Sequence, residues 1–325
     1  MQALKIGLIG IGRHGSIHLE YLQQSANFEL VGCFDHNAEK LQRIEEDYGV
    51  KIFENLDKLI EAVDVIDIVT PAHTHYYYAE KALKKSKHVF IESPITEDII
   101  EAQLIIELSR EANVKVQIGH IERFNPVFTS IKKLEPVPKI IETHRVGLFD
   151  LKKAHNSVLF ELMIQDIDLV LNLVKANIKY IHANGVAILS QYTDTITARI
   201  EFDNGCVAVL NASKSITQKK REMKLHEDNR YFHLDFIKRN AEYVSIEDEM
   251  SHGSVLTNID GEKKYITTQL IANTEYDSLK MQMDSFAESI LNNTHPEVSV
   301  EHGYKALEVA YIISEKIRKR DLGNG

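Results

Sequence analysis

Along the first 120 residues, short apolar runs alternate with segments of helical period. Leu4 to Gly10, Phe28 to Asp35, Val63 to Thr70, Lys87 to Glu92 and Val114 to Gly119 read as strands. His14 to Gln24, Asn37 to Tyr48, Thr74 to Ser86 and Glu97 to Asn113 read as helices. Asn37 is placed to cap the second helix and Gly49 to end it. The strands are apolar on both faces instead of alternating. That is the pattern of a parallel sheet covered by helices on both sides, and its repetition predicts a doubly wound Rossmann sheet.

The pattern changes after about residue 122, where Pro126, Pro136 and Pro138 punctuate the chain. Lys139 to Phe149 reads as a strand and His155 to Lys175 contains a long helical pattern. Ile178 to Gln269 is mostly strands, with turn signals at Asp203-Asn204-Gly205 and Asp260-Gly261. Tyr276 to Asn292 and His302 to Arg318 are helical again. The expected organisation is therefore a Rossmann domain over 1–122 and an α/β domain with a mainly antiparallel open sheet over 123–325.

Charge and composition narrow the partners. The formal net charge of −10 argues against nucleic acid. The basic run Lys219-Lys220-Arg221 reads as a solvated loop or strand end. No stretch is long and apolar enough to cross a bilayer. The apolar start runs straight into a glycine motif without a basic region or cleavage site, so a first strand and a cytoplasmic location are expected. Cys33 and Cys206 sit in apolar runs and are expected to be reduced and buried. His73-Thr74-His75 lacks a neighbouring carboxylate or cysteine cluster, so no metal site is expected. Tyr76-Tyr77-Tyr78 should mix core and surface positions.

The sharpest motif is Gly10-Ile11-Gly12-Arg13-His14-Gly15, which follows the first strand and opens the first helix. Asp35 ends the second strand twenty positions after Gly15. Together these form a dinucleotide fingerprint in its required context. Gly10 permits the tight turn, Gly12 lets backbone approach a pyrophosphate, and Gly15 lets helix and strand pack closely. The helix start offers free N–H groups to phosphate. A carboxylate at Asp35 accepts ribose hydroxyls and repels a 2′-phosphate, and His36 is no dedicated phosphate clamp, so NAD is expected over NADP.

With these residues the chain resembles the Gfo/Idh/MocA oxidoreductases over nearly its whole length. The ordered features are the glycine motif, Asp35, Thr70-Pro71 with His75, Glu92-Ser93-Pro94, and Gly119-His120-Ile121-Glu122-Arg123-Phe124-Asn125-Pro126. Asp166-Ile167-Asp168 and Glu301-His302-Gly303 follow. The stretch from Gly119 to Pro126, with Arg145-Val146-Gly147-Leu148-Phe149, looks like members that oxidise the 3-hydroxyl of UDP-N-acetylglucosamine-type sugars. The resemblance implies a cofactor site of Gly10 to Gly15, Asp35, His36, Thr70, Pro71, His75 and Glu92, with the nicotinamide near Pro71, His75 and Glu92. It implies a nucleotide-linked sugar facing Gln165, His120 and Arg123. It also implies a homodimer or homotetramer, since the second sheet would otherwise leave one face open.

Three positions depart from the family. Members usually carry Glu-Lys-Pro where this chain has Glu92-Ser93-Pro94, and an Asp and a His where it has Glu161 and Gln165. Oxidising an alcohol needs a group to take the hydroxyl proton. Gln165 cannot titrate near neutral pH and Ser93 needs activation by another group. One reading is a dehydrogenase with a relocated base, for which His120, His155, Lys152 and Lys153 are candidates. A second is a catalytically impaired binding protein that senses or scaffolds, and a third is different chemistry on the same cofactor. Arg123 and Arg145 can hold a substrate phosphate or carboxylate, or form structural ion pairs. Asp166 and Asp168 can contact substrate or serve local hydrogen bonding.

Overall fold

The computed structural model describes residues 3–151, 154–250, 253–259, 261–272 and 277–323. They fall into two compact units. The first holds the described residues up to Ile121 together with Asp277–Leu307; the second holds those of Glu122–Tyr276 and those from Glu308 on.

The first unit is built on β1 (Leu4–Ile9), β2 (Phe28–Phe34), β3 (Val65–Ile68), β4 (His88–Glu92) and β5 (Val116–Gly119). They form one sheet in the order β2-β1-β3-β4-β5, with every neighbouring pair parallel. The helices are α1 (Arg13–Gln24), α2 (Ala38–Tyr48), α3 (Leu56–Ala62), α4 (His75–Leu83) and α5 (Ile99–Glu111). As expected, Asn37 caps α2 by accepting a hydrogen bond from Lys40 N, and Gly49 ends it in the left-handed region at φ 64°. Only α3 has no counterpart in the pattern reading. It has seven residues, too few for a periodic signal, and is started by Asn55, whose side chain accepts from Lys58 N.

The chain leaves β1 in one direction towards β2 and in the other towards β3. The loops after β1 and β3 therefore flank the switch point, where open α/β sheets place their ligands. The two loops pack backbone to backbone, since a Cβ on Gly10 would lie 2.6 Å from the carbonyl oxygen of Val69.

The expected cut after residue 122 is corrected in one respect. Residues 277–307 return to the first unit, because α8 (Ser278–Leu291) carries an apolar stripe that completes its core. Leu279, Met283, Phe286 and Ala287 join Ile6, Leu8, Leu19 and Phe90 there, and the Phe90 and Phe286 rings lie 6.1 Å apart. Burying such side chains contributes about 1.5–3 kcal/mol each. Asp284 on the same helix accepts from Tyr21 Oη and Asn27 Nδ2, both at 2.8 Å. Tyr276, the expected first residue of this helix, lies outside the described residues.

The second unit opens with α6 (Pro126–Lys132) and β6 (Ile140–Leu148). A wide helical turn (Leu159–Met163) then leads into α7 (Ile164–Leu173). Eight strands follow: β7 (Ile178–Val186), β8 (Thr195–Phe202), β9 (Val207–Ser215), β10 (Lys220–His226), β11 (Arg230–Asp235), β12 (Asn240–Glu247), β13 (Val255–Ile259) and β14 (Glu262–Ala272). With β6 they make a nine-stranded sheet ordered β13-β14-β12-β11-β10-β6-β9-β8-β7. All pairs are antiparallel except β6 with β9. The turn at Asp203-Asn204-Gly205 joins β8 to β9 with Gly205 at φ 87°. Asp260, of the second expected turn, lies outside the described residues. Cys33 and Cys206 are free and buried, and among the Tyr76-Tyr77-Tyr78 triplet Tyr78 is core while Tyr77 is half exposed. The last helix is α9 (Val300–Gly323). No helix of the described residues is long and apolar enough to cross a membrane.

Candidate functional site

The glycine motif forms the bend between β1 and α1. Gly10 adopts φ +94°, which L side chains rarely tolerate, and a Cβ on Gly15 would sit 2.0 Å from the Gly10 carbonyl oxygen. Around a Cβ built on Gly12, by contrast, no atom lies within 4 Å. Glycine is thus required at Gly10 and Gly15 for packing, while at Gly12 it leaves an open cradle over the helix start. Gly12 is also the N-cap of α1 and supplies no side-chain acceptor. The first-turn N–H groups, with the positive end of the helix dipole, are left to face a pyrophosphate. Arg13 and His14 are exposed beside the cradle.

Asp35 follows β2 and is tied into the same bend. Its Oδ2 accepts from Ile11 N at 2.8 Å and its Oδ1 from Asn37 N at 2.9 Å. Each carboxylate oxygen keeps a further lone pair, so the group can still accept ribose hydroxyls. His36 packs its ring against Phe34 and Tyr78, at 5.5 and 6.0 Å. These residues fit an adenosine half carrying free ribose hydroxyls. Asp35→Asn removes the charge and keeps one oxygen for Ile11 N, at the expense of the bond from Asn37 N, which the amide NH2 cannot accept. It is expected to raise NADPH affinity relative to NADH by about tenfold, read by fluorescence titration of both dinucleotides; an unmoved ratio would show that Asp35 does not set the preference.

The loops after β3 and β4 come next along the same edge of the sheet. His75, the first residue of α4, is buried. Its Nε2 lies 2.8 Å from Thr70 O, and its Nδ1 lies 3.0 Å from Pro94 O and 3.2 Å from Ile95 O. It staples the two loops together, and burial lowers its proton affinity. Thr74 caps no helix through its side chain; its hydroxyl donates to Thr70 Oγ1 and Pro71 O.

Register places the proposed catalytic pair. Glu92 of β4 pairs with Gly119 of β5, so the next residues, Ser93 and His120, emerge side by side. Ser93 Oγ lies 3.4 Å from His120 Nδ1, and His120 is fully buried. Glu92 Oε2 accepts from Ser93 N at 3.0 Å. Behind Glu92 lies a group that the pattern reading missed. His18 of α1 reaches Glu92 Oε1 at 3.2 Å through Nε2 and Asp67 Oδ2 of β3 at 2.8 Å through Nδ1. The signals were a histidine on the buried stripe Gly15, His18, Leu19, Leu22 and a lone carboxylate inside an otherwise apolar strand.

In the second unit the expected substrate arginines are buried in ion pairs. Arg123 grips Asp168 with Nε and Nη2, each at 2.7 Å. Arg145 donates Nη2 to Asp166 at 2.6 Å, Nε to both Asp166 oxygens at 3.0 Å, and Nη1 to Glu122 at 3.0 Å. Glu122 also accepts from Arg221 at 3.2 Å and from Asn125 at 3.2 Å. Burial raises the proton affinity of Asp166, opposed by Arg145. Gln165 is the second residue of α7, just after the wide turn, in which Ile164 N donates to Leu159 O, five residues back. Such π-turns cluster at functional sites. Glu161 is exposed and Gln165 half-buried; His155 is exposed, and Lys152 and Lys153 lie outside the described residues.

Residues 4–120 match the oxidoreductase family with the NAD-binding Rossmann fold, Gfo/Idh/MocA. UDP-N-acetylglucosamine 3-dehydrogenase of Acidithiobacillus ferrooxidans is 33% identical over 72% of this chain and 74% of its own. A solved structure of that enzyme aligns over 98% of both chains with a TM-score of 0.88 and 28% identity. Myo-inositol 2-dehydrogenase of Thermotoga maritima is 21% identical over 98% of this chain and 97% of its own. The fold is also shared with scyllo-inositol dehydrogenase of Lactobacillus casei, solved with NAD(H) and scyllo-inositol, at a TM-score of 0.80 and 20% identity over 98% of both chains. The chain belongs to the Gfo/Idh/MocA oxidoreductases and takes NAD(H) as its cofactor.

Proposed function

We propose that the protein is an NAD-dependent dehydrogenase of a sugar hydroxyl, with a nucleotide-linked sugar as substrate. The observation that carries this reading is the Ser93–His120 contact at the strand ends, 3.4 Å between Oγ and Nδ1. Bound NAD+ supplies the hydride acceptor. The chain itself has to hold the cofactor, orient the hydroxyl and take its proton. Ser93 stands where the family carries lysine, and a lone serine is a poor base. Beside an imidazole it can pass a proton on. Ser93 Oγ accepts the substrate proton as its own O–H donates to His120 Nδ1, so His120 is the base and Ser93 the relay. The likeness to a UDP-N-acetylglucosamine 3-dehydrogenase supports a nucleotide sugar. Arg123 and Arg145 are assigned to structure, since Asp168, Asp166 and Glu122 already occupy their donors. A homodimer or homotetramer is expected through the exposed side of the second sheet, where β7 presents Tyr180 and Val186.

The test is NADH formation from NAD+ with UDP-N-acetylglucosamine, related nucleotide sugars and free polyols. Turnover with a nucleotide sugar is the expected result. The departures at Ser93 and Gln165 favour one other reading, a binding protein that has lost its chemistry. No turnover in the unsubstituted chain, with turnover in the Ser93→Lys, Gln165→His double variant, would establish that reading instead.

A further inference from the structure

The cluster of His18, Asp67 and Glu92 has no part in the proton relay just described. It is deeply set: side-chain exposure is 4% for His18, 0% for Asp67 and 22% for Glu92. Both ring nitrogens of His18 face a carboxylate oxygen. A neutral ring would point one lone pair at an anion, whereas an imidazolium donates in both directions. Burial disfavours the charged ring, but Asp67 and then Glu92 outweigh it and push the His18 pKa up to about 10. Burial also raises the proton affinity of Asp67, opposed by His18 at 2.8 Å, and the one proton held between the two leaves the cluster with Glu92 one net negative charge whichever of them carries it. Glu92, the outermost member, is held by His18 and by Ser93 N, and packs where Gly119 has no side chain, since a Cβ there would fall 2.7 Å from Glu92 Oε2. His14, His75 and, on the Asp67 side, Cys33 are the other titratable groups around the cluster.

We infer that the Asp67–His18–Glu92 cluster presents one net negative charge to the nicotinamide end of the cofactor and thereby favours bound NAD+ over bound NADH, with His18 acting as the positioning residue for Glu92. This rests on the reading that places the nicotinamide at Glu92, and not on turnover. The oxidised ring carries a positive charge and the reduced ring none. A fixed anion near it therefore stabilises one redox form selectively, whereas packing and hydrogen bonds to the rest of the dinucleotide serve both forms alike.

The experiment compares NADH affinity, by fluorescence titration, with NAD+ affinity, by competition, in the unsubstituted chain and in Glu92→Gln. The ratio of NAD+ to NADH affinity is expected to fall about 5- to 20-fold in the variant. In the unsubstituted chain the same ratio should rise about threefold between about pH 8 and about pH 10.5, as His18 loses its proton and the cluster becomes more negative. This arm stands if Glu92→Gln does not fold. Equal weakening of both dinucleotides in Glu92→Gln, or a pH-independent ratio, would reduce the cluster to scaffolding and overturn the inference. Both affinities unchanged in Glu92→Gln would overturn it differently, by showing that the nicotinamide does not lie at Glu92.

Discussion

Replacing His120 with glutamine is expected to lower turnover about 10²–10⁴-fold, with NADH affinity held within about threefold. The expectation follows from where the parallel register puts the two side chains. Glu92 and Gly119 are paired, and each is the last residue of its strand. Ser93 and His120 therefore leave adjacent strands together at the carboxyl edge of the sheet, the edge that also carries the glycine bend. His120 is fully buried, so a proton passed to it is shielded from bulk water. Glutamine preserves a polar side chain of similar reach but cannot accept a proton there. Ser93→Ala should lose activity in parallel, while Ser93→Lys, which restores the family's usual residue, should recover part of it. A pH profile of kcat separates a base from a scaffold. An imidazole base works only when neutral, so activity falls on the acid side, and that limb should vanish in His120→Gln. Retention of more than about a tenth of the unsubstituted kcat in His120→Gln would remove the histidine from the mechanism.

The second large effect concerns stability. Arg145→Met is expected to destabilise the second unit by about 3–5 kcal/mol, a fall in its unfolding temperature on the order of 10 °C. Arg145, Glu122 and Asp166 are each no more than 4% exposed at the side chain. Arg221 still answers Glu122 once Arg145 is gone, at 3.2 Å, but among the described residues the hydrogen bonds to Asp166 all come from Arg145. An anion left alone in the interior takes up a proton on folding. The variant's Asp166 would then have a folded pKa above its unfolded one. Its stability is greatest below the unfolded pKa and declines as pH rises through the folded value. The deficit against the unsubstituted chain should accordingly be small in mild acid and largest at neutral pH and above. Calorimetry across that range checks both size and sign. A variant with unchanged unfolding temperature and a raised KM for the sugar would return Arg145 to substrate binding.

Much of the fold is legible along the chain. The doubly apolar strands, the caps at Asn37 and Gly49, the turn at Asn204-Gly205 and the glycine bend all depend on residues a few positions apart. Backbone conformation and side-chain period act over the same short range, so pattern reading finds them. The bend that carries the dinucleotide fingerprint is legible for the same reason: one loop, one helix start and one carboxylate at the next strand end make it.

The rest depends on neighbours distant in sequence. His18 meets Asp67 across 49 positions and Glu92 across 74. Arg145 meets Asp166 across 21, and α8 joins the first core after about 150 residues of another unit. An arginine read alone has the same fork whether it faces a substrate or an aspartate. Only the assembled sheet, by setting which strands are adjacent and in what register, decides which charge stands opposite which. Sequence alone determined that this chain builds a Rossmann sheet with a dinucleotide bend. Tertiary structure decided which buried charges neutralise one another and which side chain stands beside Ser93, because both depend on which strands the sheet makes neighbours.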